Sequence, residues 1–348
     1  MKRENGRKFP SFPHIRTGCD GYMKHKLDFK TRDNILIRAP NWVGDVVMAV
    51  PFYKCIRNNF PRAGLYCAIR EYAAGILDGS PWFDGIISAD DKTLGGFFRL
   101  SRGIRKARIK TAFVLPRSSR ALLTVRLGGV RRVYGYRQNG HGLFLTDGPP
   151  NPKISVGVRP IAMTDHYLNL ARWLGLKPSD STRPELFVTE EEQDFAEDLL
   201  KRYGIQDRDR VVGLNPGAKF GSSKCWPPEH FARLAELLQK KLNCRILIFA
   251  GPGEEAIAAS IEAQSAAEVI NTAGDHINLA RLKPMVRRCD LLVTNDTGPR
   301  HYAVAFDVPV VAILGSTDPA YTRDNLEKTV VVRKDLACSP CHLGTCPT

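Results

Sequence analysis

Four short stretches of this chain hold side chains whose types and spacing could do chemistry. The first, Ala39-Pro40-Asn41-Trp42-Val43-Gly44-Asp45, ends in a carboxylate. At the end of such a loop a carboxylate can take a proton from a substrate hydroxyl. The same aspartate also reads as a first-turn helix acid whose pKa the macrodipole would lower, so a basic role calls for partial burial to offset that. The second stretch, residues 215–227 (Asn-Pro-Gly-Ala-Lys-Phe-Gly-Ser-Ser-Lys-Cys-Trp-Pro), suits a diphosphate. Gly217 and Ala218 let backbone amides approach phosphate oxygens, Ser222 and Ser223 add hydroxyls, and Lys224 neutralises charge building on a leaving group. It is not a Walker A loop, because Gly-Lys-Ser/Thr at that spacing is absent.

The third stretch, Gly251-Pro252-Gly253-Glu254-Glu255-Ala256, matches G-x-G-x-x-A. Its proline is awkward for a dinucleotide turn and no neat βαβ unit with an acid about twenty residues on follows, so Glu254 or Glu255 is read instead as a partner for ribose hydroxyls. The fourth, Asn295-Asp296-Thr297-Gly298-Pro299-Arg300-His301, is a polar turn opening a helix. Asp296 is expected to cap that helix, the amides of Thr297 and Gly298 to face a phosphate, and His301, a turn further in, to reach the same anion. Asp207-Arg208-Asp209 spells the metal-binding D-x-D pattern but precedes a strand, at the wrong end of a sheet, and reads as a solvated turn. No metal site is expected.

The elements that must position these residues alternate strand and helix. Apolar runs at 35–37, 64–70, 85–88 and 111–115, with a helix over 46–57, predict a parallel α/β unit. A turn-rich stretch at 147–152, a helix over 166–176 and a polar passage at 178–184 suit a crossing between units, with the boundary near 185. The pattern then restarts: helix 190–203, strand 210–214, helix 229–242, and strands at 245–249, 291–294 and 308–314. The fold class is α/β, two doubly wound Rossmann-like domains at 33–185 and 186–348, preceded by a basic extension over 1–32. In such sheets ligands sit beyond the carboxyl ends of the strands.

Composition bounds the rest. A 348-residue chain with 43% hydrophobic and 25% charged residues builds packed cores rather than remaining disordered. No window approaches a spanning helix, and residues 1–18 lack the apolar stretch of a secretory signal, so cytoplasmic residence is expected. The net charge of +15 is concentrated in residues 1–150, which carry 27 Lys and Arg against 11 Asp and Glu. That half suits a polyanionic partner: nucleic acid, an anionic membrane or an acidic glycolipid. A nucleic-acid binder lacks a recognised motif here, and a nicotinamide oxidoreductase rests only on the flawed fingerprint at Gly251. Of nine cysteines only Cys338, Cys341 and Cys346 cluster, without the paired second knuckle of a zinc site.

Taken together, Trp42-Val43-Gly44-Asp45, residues 215–227 and residues 295–303 resemble the ADP-heptose:lipopolysaccharide heptosyltransferases, glycosyltransferase family 9, and the form of the first motif is more similar to the type II branch. The resemblance runs over about 33–347, with residues 116–137 similar to the family's acceptor-side basic segment. It implies a GT-B fold, two Rossmann-like domains facing a central cleft, and metal-independent, inverting sugar transfer with no cofactor. By that resemblance Asp45 is the base and Lys224 offsets leaving-group charge. Gly217, Ala218, Ser222, Ser223, Glu254 or Glu255, Asp296, Thr297, Gly298 and His301 hold an ADP-heptose donor. Trp42, Gly44, Arg117, Arg120, Arg131, Arg132 and Arg137 meet a heptosyl-Kdo–lipid A acceptor at the inner face of the cytoplasmic membrane, and nucleic acid is not a partner. The family's alternative is another donor sugar or acceptor. The sequence departs from the family in its 1–32 extension and in stopping just after the cysteine cluster, where the helix that commonly closes the fold is expected.

Overall fold

The computed structural model describes residues 33–138, 141–151 and 160–347. The extension at 1–32 and the last residue of the 147–152 turn stretch lie outside the described residues. The first unit runs β1 (Ile35–Arg38), α1 (Val43–Met48), α2 (Val50–Asn59), β2 (Leu65–Ile69), β3 (Gly85–Ser88), α3 (Leu94–Lys106), β4 (Thr111–Val114), α4 (Ser119–Leu127), β5 (Arg132–Gly135) and α5 (Met163–Trp173). Its sheet has the order β3-β2-β1-β4-β5, with every pair parallel and Ile35 in register with Leu65 on one side and Thr111 on the other.

Period two along β1 divides the core. Ile35 and Ile37 point to the face covered by α1, α2 and α5, packing with Val46, Phe52, Ile56 and Leu170. Leu36 points to the other, covered by Leu100 and Ile104 of α3 and by Leu122 and Val125 of α4. A strand buried on both faces must be apolar throughout, which is why Ile-Leu-Ile is legible as a strand without alternation.

The second unit runs α6 (Glu190–Arg202), β6 (Val211–Asn215), α7 (Pro228–Leu242), β7 (Arg245–Ile248), α8 (Glu255–Gln264), β8 (Val269–Asn271), α9 (Leu282–Arg288), β9 (Leu291–Asn295), α10 (Gly298–Ala305), β10 (Val310–Leu314) and β11 (Thr329–Arg333). Its parallel sheet has the order β11-β10-β9-β6-β7-β8. In both sheets the first strand in sequence is flanked by strands wound in opposite directions, β1 by β2 and β4, β6 by β7 and β9. These are switch points, where the loops leaving the carboxyl ends splay apart and leave a crevice. The loop before α1 leaves one of them; residues 215–227 leave the other.

Some expectations need correction. The single helix expected over 46–57 is two, because Pro51 near the start of α2 has no N–H to continue α1, and the chain turns at Ala49. The first helix also begins at Val43, earlier than expected, so Asp45 sits inside its first turn. Strands β5, β8 and β11 fall outside the expected set. All three are edge strands: β5 and β8 are short and hold only two adjacent apolar residues each, and β11, Thr-Val-Val-Val-Arg, alternates half-buried with exposed residues although its apolar run is as long as that of β1.

The two units meet closely. Helix α1 packs against α10, and the approach depends on two glycines: a β-carbon on Gly44 would lie 2.8 Å from the His301 ring, and one on Gly298 would lie 2.5 Å from Val43. The fully buried Lys283 of α9 pairs with Glu192 and donates to the carbonyl of Asp78 in the first unit at 2.9 Å.

Candidate active site

Asp45 projects from the first turn of α1 beside the contact with α10. The Tyr167 hydroxyl, from α5, donates to its Oδ1 at 3.2 Å. Burial pushes the Asp45 carboxyl up from an ordinary 3.8 to about 6, while the Tyr167 hydrogen bond and the charges of Arg117 and Lys224 pull the other way. The outcome is a carboxylate still ionised at neutral pH but a stronger base than a solvated one. The macrodipole alone would have lowered its pKa; burial decides the sign here.

The loop leading to Asp45 is anchored by a charge cluster that does not stand out in the sequence. Arg38, fully buried at the end of β1, donates to Asp91 at 2.8 Å, to the Ala39 carbonyl at 2.8 Å and to Asn41 at 3.1 Å. Arg70 holds the second oxygen of Asp91 at 2.9 Å. Burial would raise the Asp91 pKa, but the two guanidiniums outweigh it and hold the carboxyl below the usual range. Arg38 stands in an otherwise apolar strand, and that break in the pattern is the available signal.

Across the domain contact, the loop at 215–227 is stapled by Asn295. Its Nδ2 donates to the Pro216 carbonyl at 2.5 Å and its Oδ1 accepts from the Trp226 amide at 3.1 Å, so one side chain at the end of β9 holds both ends of the loop. Lys224 donates to the Asp296 carboxylate at 2.8 Å and to the Asp296 carbonyl at 3.0 Å, with its ammonium 5.1 Å from the centre of the Phe220 ring. Arg300, buried at 1% exposure, reaches the same carboxylate at 3.2 Å, and the Thr317 hydroxyl donates to it at 2.6 Å. Burial would raise the Asp296 pKa, yet Lys224, Thr317 and Arg300 together bring it down to about 2. Asp296 therefore does not cap α10 as expected. Thr297 is the N-cap residue, and the Asp296 carboxylate is committed to two cations and a hydroxyl. Sequence reasoning misses both Arg300 and Thr317.

The amides of Thr297 and Gly298 open α10, and the Thr297 hydroxyl accepts from Asn215 at 3.0 Å. His301, 8% exposed, is pushed down to about 3 by burial first and by Arg300 second, so its imidazole is neutral at pH 7. Of the two glutamates, Glu254 faces the loop: its carboxyl carbon occupies the space a β-carbon on Gly217 would take, 2.0 Å away, and its Oε2 accepts from the Gly251 amide at 2.8 Å. Glu255 is exposed in the first turn of α8, accepting from Gly253. Gly217 is buried and Ala218 half-buried, with Ser222 exposed. Ser223 is turned toward the chain's end, bonding Ser316 and the Leu343 carbonyl.

The basic residues of the first unit separate into two groups. Arg117 and Arg120 follow β4 at the carboxyl edge, Arg117 near enough to act on Asp45, Arg120 holding the carbonyls of Asp91 and Lys92 at 3.1 and 3.0 Å. Arg137 follows β5 at the same edge and pairs with Asp147. Arg131 and Arg132 stand at the amino end of β5, and Arg132 pairs with Asp33 at 2.8 Å, just before β1. In a parallel sheet that is the edge opposite Asp45, so these two arginines do not join the others. Trp42 is 54% exposed at the N-cap of α1. Asp207 and Asp209 lie in a turn before β6, where Arg288 binds the carbonyls of both, far from the crevice.

The family model for glycosyltransferase family 9 (heptosyltransferase) matches residues 97–348, well over half of the sequence. The chain belongs to glycosyltransferase family 9. It is 28% identical to the lipooligosaccharide heptosyltransferase 2 of Haemophilus influenzae, over 86% of this chain and 88% of that one. It is 27% identical to the lipopolysaccharide heptosyltransferase 2 of Escherichia coli, over 86% and 87%. Among solved structures it resembles E. coli ADP-heptose LPS heptosyltransferase II, with a TM-score of 0.72, 25% identity and coverage of 86% and 90%. It also shares its fold with a family 9 glycosyl transferase of Veillonella parvula, TM-score 0.80, 22% identity, coverage 91% and 92%. The family 9 protein is thus a glycosyltransferase of GT-B fold, and the nicotinamide reading of Gly251–Ala256 falls away.

Proposed function

We propose that this family 9 protein transfers heptose from ADP-heptose to the heptosyl-Kdo inner core of lipopolysaccharide, with inversion and without a metal ion. The relatives carrying the names heptosyltransferase 2 and ADP-heptose LPS heptosyltransferase II support the donor and acceptor. The observation that carries the chemistry is the meeting of Asp45, its pKa raised to about 6, with the charge of Lys224 across the contact between the two switch points.

In this reading residues 33–185 hold the acceptor and 186–348 the donor. The Asp45 carboxylate takes the proton of an acceptor hydroxyl as its oxygen attacks the anomeric carbon from the face opposite the diphosphate. The bond from that carbon to the diphosphate oxygen breaks and ADP leaves. Lys224, the amides of Thr297 and Gly298, and the loop at Gly217 and Ala218 meet the negative charge that grows on the leaving oxygen. These donors supply the charge a divalent cation would otherwise bring. Glu254 bonds the ribose. Asp296, itself fixed by Arg300 and Thr317, holds Lys224 in place rather than contacting the sugar. Arg117, Arg120 and Arg137 pair with acceptor carboxylates and phosphates, for which the guanidinium fork is suited. The enzyme works at the inner face of the cytoplasmic membrane, where a lipid-anchored acceptor is presented.

The test is product analysis: ADP-heptose with a heptosyl-Kdo acceptor yields an acceptor one heptose heavier by mass spectrometry, with the anomeric configuration inverted by NMR. Transfer from a different nucleotide sugar in preference to ADP-heptose would overturn the donor assignment.

A further inference from the structure

Residues 92–146 contain thirteen Lys and Arg and no Asp or Glu. They span α3, β4, α4, β5 and the turn that follows, and α3 with α4 forms the outer layer on one face of the first sheet. Helix α3, Leu-Gly-Gly-Phe-Phe-Arg-Leu-Ser-Arg-Gly-Ile-Arg-Lys, buries Gly96, Leu100 and Ile104 and turns Leu94 and Phe98 outward, 80% and 57% exposed. Arg99, Arg102 and Lys106 continue that outer side, and no carboxylate pairs with them among the described residues. Toward the amino edge of the sheet the two helices are tied together and to the segment after β5. Arg105 donates to the Leu127 carbonyl of α4 at 2.7 Å, and Arg126 donates to the Phe144 carbonyl at 2.7 Å, next to Leu143, which is 89% exposed.

Large apolar side chains standing in water beside unpaired cations are costly unless something covers them, and the two together fit an anionic lipid surface. Leucine and phenylalanine reach the acyl boundary while the arginines meet headgroup phosphates. The position also fits. Leu94 and Phe98 open α3 just after β3, so both stand at the carboxyl edge of the sheet, the edge that carries Asp45.

We infer that the α3–α4 face, with Leu94 and Phe98 inserted and Arg99, Arg102 and Lys106 on headgroups, is the surface by which the protein docks on an anionic bilayer. This names the membrane contact of the proposed enzyme and explains how a lipid-anchored acceptor meets the crevice. Vesicle binding requires neither donor nor acceptor, so its failure and the failure of the heptose assignment are separate results.

The experiment is co-sedimentation of the full chain with vesicles of phosphatidylcholine alone or phosphatidylcholine with phosphatidylglycerol. The wild type partitions to the anionic vesicles and is released by high salt. Arg99→Glu with Arg102→Glu lowers the partition coefficient at least about tenfold, and Leu94→Ser with Phe98→Ser does the same. ADP binding and the unfolding midpoint, read on each variant, remain those of the wild type. The milder pair Leu94→Ala with Phe98→Ala gives an intermediate loss should the serine variant unfold. Partition unchanged in the variants, equal binding to neutral vesicles, or preference for an RNA oligonucleotide over anionic vesicles would overturn the assignment.

Discussion

Replacing Asp45 by asparagine separates the energetic cost of the proposed base from its use. The carboxyl titrates at about 6 in the folded chain against an ordinary 3.8. Each pH unit between the two values is worth about 1.4 kcal/mol, so the ionised form destabilises the fold by about 2–3 kcal/mol. Below pH 3.8 the group is protonated in both folded and unfolded chains and the cost vanishes; above about 6 it is ionised in both and the cost is complete. An asparagine at this position would keep an oxygen to accept from Tyr167 but carry no charge. Asp45→Asn is therefore expected to be more stable than the wild type by about 2–3 kcal/mol at pH 8, with roughly half that gain left at pH 5. Urea unfolding at a series of pH values reads the difference directly. The same substitution is expected to lower kcat by about a hundredfold or more, and to remove the acid limb expected near pH 6 in the wild-type kcat/KM profile. A stability difference that does not change between pH 5 and 8 would refute the argument that burial raises this carboxyl.

Three further outcomes follow from the donor side. Lys224→Met leaves Asp296 with Arg300 and Thr317 for partners and removes the cation facing the diphosphate; ADP affinity by calorimetry falls about tenfold and kcat falls with it. Gly217→Ala puts a β-carbon 2.0 Å from the Glu254 carboxyl carbon, so Glu254 is displaced; ADP binding weakens while binding of an inorganic diphosphate changes less. EDTA leaves the transfer rate unchanged, because fixed cationic and amide groups offset the leaving-group charge; a rate that collapses with chelator and returns with magnesium would contradict that arrangement.

The parts of this protein legible in its sequence are those set by local patterns. Buried parallel strands are short apolar runs, and the loops that leave the two switch points are rich in Gly, Ser, Asp and Lys, so Asp45 and residues 215–227 can be picked out with no knowledge of neighbours. What is not legible depends on long-range meetings. Tyr167 lies 122 positions from Asp45, and Lys224 lies 72 from Asp296. No spacing rule links such pairs. Asp296 reads as a helix cap because caps are local, and only the fold shows its carboxylate drawn to Lys224 and Arg300. Arg131 and Arg132 read as equivalent to Arg117 because charge composition carries no sheet edge. The side of β5 on which each falls depends on a strand too short and too basic to announce itself.

The central claim is sugar transfer with Asp45 as the base, and it is tested most directly by ADP release from ADP-heptose, with and without a heptosyl-Kdo–lipid A acceptor, for the wild type and Asp45→Asn. The account predicts acceptor-dependent release by the wild type, and for the variant ADP-heptose bound with near wild-type affinity but almost no turnover. Turnover retained by Asp45→Asn, or wild-type release that ignores the acceptor, would contradict it.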